Sequence, residues 1–193
     1  MSAAIKTVAL ACATIAWLTG CGADSGDSTA TSSSATTSKP HSNWTRPAAP
    51  PDPQTLLHAG SVAVAAVPNG TLTLIRSQET GSWRVLVATN DGTNQSMDVS
   101  DDGVTLMVGP TPANQSDSDK AQTRARVQAA KMDYRAAAEK ILATIAGASI
   151  SELSLGDSNG TTAWQAVAWD SYIVEHRVTI DAVSGVVIAN KQV

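Results

Sequence analysis

The sequence predicts an α+β fold. It reads as two tandem helix-plus-antiparallel-meander modules, preceded by an N-terminal leader and a disordered stalk. Three observations carry this expectation. Landmark residues recur at one offset: Asp52 with Asp133, Leu72 and Leu74 with Leu153 and Leu155, Trp83 with Trp164, and Met97 and Val99 with Val178 and Ile180. Gly103 matches Gly185 after a one-residue slip. Each half opens with an Ala-rich stretch carrying one apolar stripe at helical spacing, then changes to period-two alternation punctuated by Gly-containing turns.

The leader comes first. Lys6 precedes an apolar run from Thr7 to Leu18. A bilayer span needs about 20 apolar residues, so this run is short, and residues 1–20 are expected to be a secretory signal. Leu18-Thr19-Gly20-Cys21 has the form of a bacterial lipobox. A small residue before the cysteine leaves the backbone open to the modifying and cleaving enzymes. Cys21 is therefore the expected lipid-attachment residue, bearing a covalent diacylglycerol, with no other cofactor implied. Two acyl chains give stable anchoring where one is marginal, at about 0.8 kcal/mol per buried methylene. The expected location is the outer face of the cell membrane. Cys12 would leave with the leader, so no disulfide and no thiolate metal site is expected.

Residues 21–51 follow as a tether. Ser, Thr, Ala, Gly and Pro dominate, and 28–38 are nearly all Ser, Thr and Ala. Such a segment buries too little apolar surface to offset its ordering entropy. Pro47, Pro50, Pro51 and Pro53 stiffen its end. Trp44 is the one large aromatic there, and it could dock on the folded part or rest at a membrane interface.

The first module is read over 52–109. Asp52 is an N-cap with Pro53 at the first helical position, a strong start signal. The helix is expected to run to about Ala66 and stop at Pro68-Asn69-Gly70. Strands are expected over 71–77, 82–89, 93–100 and 104–108, with turns at Glu79-Thr80-Gly81 and Asn90-Asp91-Gly92. Residues 110–131 are read as a polar linker, to about Ser118, and an additional helix from Asp119 to about Ala130, exposed or loosely docked. The second module is read over 132–193. Asp133 caps a helix to Gly147, and strands are expected over 149–155, 162–169, 172–181 and 186–190. Units of about 60 residues bury roughly 60% of their unfolded surface and are marginal alone, so the two are expected to pack together.

The order helix, strand, Trp-bearing strand and strand, ending in Asp181-Ala182-Val183-Ser184-Gly185-Val186-Val187 behind a lipobox and Ser/Thr stalk, resembles the PepSY domain family. The second module carries the resemblance over its whole length. The first is degenerate, because Ser100 stands where the aspartate belongs in Ser100-Asp101-Asp102-Gly103. The resemblance implies a helix on a small antiparallel sheet, often in tandem, outside the cell. It also implies a non-catalytic module that regulates or inhibits peptidases. The Ala-rich, Lys-poor composition resembles an actinobacterial envelope lipoprotein.

Charge and motifs narrow the function further. The formal net charge is −4, and it becomes more negative if Lys6 leaves with the leader. That argues against a nucleic-acid partner, which calls for a basic face. No Gly-x-Ser-x-Gly, His-Glu-x-x-His or phosphate-binding Gly-rich loop occurs. Of three histidines, only His176 shares a predicted strand face with apolar residues, and its repeat counterpart Gln95 suggests a peripheral polar position. Asp157-Ser158-Asn159-Gly160 and the group Asp98, Asp101 and Asp102 lack the distal Glu of a calcium loop, so both read as turns and no metal site is expected. The Asn-x-Ser/Thr sites at Asn43, Asn69, Asn94, Asn114 and Asn159 read as incidental behind a bacterial lipobox.

The best candidate contact is the tip formed by Trp169 and Tyr172 around Asp170-Ser171. These aromatics could anchor a partner or merely pair across the hairpin. The expected role is a membrane-anchored lipoprotein acting as a non-catalytic protein-binding or peptidase-regulating module, not an enzyme. Its expected partners are the membrane, through the lipid, and an envelope protein or peptidase. A lipid or small-molecule carrier is the alternative, since small Ala side chains on both helices make a cavity conceivable.

Overall fold

The computed structural model describes residues 50–193. The leader, Cys21, Trp44 and most of the tether lie outside them. The elements are α1 (Pro53–Ala66), β1 (Thr71–Ser77), β2 (Trp83–Ala88), β3 (Asn94–Val99), β4 (Leu106–Pro112), α2 (Asp117–Ala129), α3 (Tyr134–Thr144), β5 (Ser149–Ser158), β6 (Thr161–Trp169), β7 (Glu175–Asp181) and β8 (Val187–Gln192).

The two helix starts have direct chemical causes. The Asp52 carboxylate accepts the Gln54 N–H and Pro53 fills the first helical position. The Asp133 carboxylate accepts the Ala136 N–H. α2 opens with a capping box, in which Ser116 and Asp119 satisfy each other's backbone N–H groups.

The expectation of two tandem modules is corrected by the sheet. All eight strands form one antiparallel sheet in the order β4-β3-β2-β1-β5-β6-β7-β8. The joint is β1 against β5, where Leu74, Ile75 and Arg76 stand opposite Ser154, Leu153 and Glu152. The reason is the edge problem: separate meanders would leave β1 and β5 as open edges with unpaired backbone groups. The period-two pattern says which face of a strand is apolar, but not which edge is paired.

Several local boundaries differ, among them β5, which runs on to Ser158, and β8, which runs to Gln192. The fourth strand lies at 106–112 rather than 104–108, so the expected linker from Pro110 is partly strand. The extra helix begins at Asp117. β7 begins at Glu175, not at Tyr172, because residues 170–174 form a loop.

The core lies on one sheet face. Ile75, Val85 and Met97 share a register row with Leu153, Ala166 and Val178, and all are buried. Ala59 and Ala63 of α1 and Ala137 and Ala138 of α3 pack into this cluster with no exposed surface. Their small side chains bring the helices close to the sheet, and the bulk is supplied from the strands by Trp83 and Trp164. At Gly60 a Cβ would fall 2.4 Å from the Tyr134 ring, so this glycine seats α1 against α3.

Candidate functional site

Residues one register position away from the core row point to the opposite side of the sheet. There the pairings put one row across all eight strands: Val108, Asp98, Arg84, Arg76, Glu152, Val167, Arg177 and Lys191. The next outward row passes through Ser96, Leu86, Leu74, Ser154, Gln165 and Thr179. α1 and α3 pack on the core side, and α2 reaches that core through Val127. The outer face is thus a broad surface of Arg, Glu, Leu and hydroxyl side chains, most of them half-buried against one another.

Its charges are arranged in pairs. The Arg84 guanidinium donates to both oxygens of Asp98 through Nε and Nη2, which raises the pKa of Arg84. Arg177 Nε donates to Glu175 Oε1 at 3.0 Å. Glu152 sits between Arg76 and Arg177. Burial pushes its carboxyl above the usual range, and the two cations only partly offset that.

Trp169 occupies one corner of this face. It stands opposite Ser149 and Glu175, and its Nε1 donates to Ser151 Oγ at 3.1 Å. Tyr172 is separate from it. It lies in the 170–174 loop and is 86% exposed, so the two aromatics do not pair across a hairpin. The sequence suggested a two-residue tip. Asp170 instead organises a longer loop: its Oδ1 accepts the Tyr172 and Val174 N–H groups, both at 2.9 Å, and Ile173 takes a left-handed φ of 61°. These bonds, the Val174 one foremost, hold Asp170 below the usual carboxylate range.

His176 is also placed differently from expectation. It is buried rather than peripheral. Its Nε2 lies 3.3 Å from Asp170 Oδ2, and its Nδ1 lies 3.2 Å from Asn190 Oδ1. Both ring nitrogens face oxygen atoms inside the fold, so its role here is to tie the loop to β8. Asp157, in the Asp157-Ser158-Asn159-Gly160 turn, accepts from Arg126 Nε at 2.7 Å. Asp98 is taken by Arg84. Among the described residues no three His, Cys, Asp or Glu side chains gather so as to hold a metal ion. None of the described helices is long and apolar enough to cross a membrane.

Sequence reasoning singles out Trp169 and Tyr172 but not the charged row. Arg76, Arg84, Glu152 and Arg177 were visible only as the polar positions of period-two strands. Nothing local places them side by side.

No family model matches the chain, and no curated protein does. The PepSY resemblance therefore rests on the residues that suggested it. A crystal structure from Clostridium difficile 630, of a provisionally assigned lipoprotein, superposes with a TM-score of 0.42 at 15% identity. The match covers 69% of this chain and 89% of that one. A likeness of that depth transfers no role.

Proposed function

We propose that this chain is a lipoprotein held at the outer face of the cell membrane by Cys21, and that its folded part is a non-catalytic protein-binding module of the envelope. The observation that carries the binding role is the sheet face that none of the described helices covers. It presents Arg and Trp side chains of the kinds enriched at interface centres, and its ion pairs are already positioned. The lipobox at Leu18-Thr19-Gly20-Cys21 supports the anchor, and the tether would raise the local concentration of the face near membrane partners. Regulation of a peptidase, as PepSY-like modules imply, is the finer form of this reading. The carrier alternative has less support, because the helix alanines are packed against the sheet with no exposed surface.

Two measurements test the proposal. Cys21→Ser should abolish lipid labelling and release the chain from membranes; a membrane-bound, normally processed variant would remove the anchor. A photocrosslinking residue at Val167, on the outer face, should capture a discrete protein adduct in intact cells. The same probe at Arg124 on α2 should not. Equal adducts at both positions, or none at 167, would remove the binding face.

A further inference from the structure

The two edges of the sheet are chemically unlike. On β4, Ala113 N–H donates to Asn94 O. Pairing alternates from there, so Pro112 falls at a position whose N–H would point away from the sheet. Proline has no such donor, and Pro110 lies two residues before it. That edge is closed to an added strand.

β8 is open. Val193 N–H donates to Glu175 O at 3.0 Å. The same alternation turns the Lys191 and Ala189 backbone groups toward β7, and the Asn190 and Gln192 groups outward. Residues 190–192 are exposed and contain no proline. Exposed Val186 and Ile188 border them, with Ile188 at the irregularity in the β7–β8 register.

The side chains at this edge select the occupant. Lys191 stands directly opposite Arg177, whose guanidinium Glu175 already pairs, so Lys191 is the cation presented on the outermost strand. A second copy pairing through both regular outward positions, Asn190 with Gln192 and the reverse, would set Lys191 directly opposite itself. Like charges directly opposite destabilise a strand pair. An extended segment carrying a carboxylate avoids that repulsion.

We propose that β8 is a docking edge at which an extended, acidic segment of a partner protein adds as a ninth strand. Its carboxylate lies beside Lys191, and its backbone bonds Asn190 and Gln192. Lys191 also ends the outer-face row, but the edge's backbone groups at Asn190 and Gln192 lie four strands from Arg76, so Arg76→Ala should leave edge docking unaffected.

The test uses the full chain in detergent micelles and two synthetic peptides. Both are eight-residue Thr/Val alternations, one with a central Glu and one with a central Lys. The Glu peptide should protect the Asn190 and Gln192 amides from hydrogen exchange, while Lys191 and Ala189 stay as protected as before. It should bind roughly threefold or more tighter than the Lys peptide. Lys191→Glu should reverse that order. Gln192→Pro deletes one outward donor and should abolish binding, whereas Gln192→Ala keeps the donor and should bind as the unaltered chain does. Protection absent at 190 and 192, equal affinity for the two peptides, or undiminished binding by a folded Gln192→Pro chain would overturn the proposal. So would a homodimer that Gln192→Pro dissociates, because the occupant would then be a second copy.

Discussion

Arg76 on β1 stands directly opposite Glu152 on β5, at one end of the three-residue register that joins the eight strands into one sheet. On the core side of the same joint, Ile75 faces Leu153, and both are fully buried. The joint is short, so its contributions are open to single substitutions.

Because the core runs unbroken across this joint, the folded part should unfold in one cooperative transition. Leu153→Ala should lower its stability by about 2–5 kcal/mol while keeping a single transition by circular dichroism and calorimetry alike. Two resolved transitions would show that the halves fold independently. For the same reason a fragment of residues 119–193 should fail to fold as a monomer, since β5 would be left as a bare edge.

Glu152 gives a pH dependence of defined sign. Burial raises its folded pKa above the ordinary glutamate value. Between the two values the folded chain holds more protons than the unfolded chain, so this group's contribution falls as pH rises through that window. Glu152→Gln removes the titration. Its denaturation midpoint relative to the unaltered chain should therefore improve as pH rises from about 4 to neutrality. A constant difference across that range would count against the burial of the carboxylate.

The two buried tryptophans should respond differently to Phe. Trp164 Nε1 donates to the Met132 carbonyl at 2.9 Å, whereas Trp83 Nε1 is buried and finds no acceptor among the described residues. Trp164→Phe loses a bond with a net value of about 1 kcal/mol, and Trp83→Phe removes an unsatisfied donor. Urea titration should place the Trp164 variant below the Trp83 variant by roughly that amount.

Gly103 holds the turn before β4 against α1. Its φ is 76°, and a Cβ there would lie 2.4 Å from the Thr55 carbonyl oxygen. Both the backbone angle and the contact oppose a side chain. Gly103→Ala should cost about 2 kcal/mol or more, whereas Gly160→Ala, which meets nothing nearby, should incur only the strain of its positive φ.

Asp170 should prove to be the latch of the Tyr172 loop. Asp170→Ala removes the acceptor for the Tyr172 and Val174 amides, whose hydrogen exchange should accelerate while β6 and β7 stay protected. The aspartate's folded pKa is depressed, so its advantage is present above the ordinary aspartate value and disappears as pH falls through the depressed one. The unaltered chain and the variant should converge in acid.

By itself the sequence determined what short-range chemistry controls. Asp52-Pro53 and Asp133 start their helices because a carboxylate beside free N–H groups suffices. Alternation placed Trp83, Trp164, Met97 and Val178 on the buried face because side chains alternate along any strand. Tertiary structure decided the rest. It paired β1 with β5, set Arg76 beside Glu152, lengthened the loop after Trp169 and buried His176 between Asp170 and Asn190. Each of these depends on hydrogen bonds between strands or loops that the alternation pattern leaves unspecified. Backbone groups carry no residue-specific label, so which edges meet is settled by the packing of the whole core.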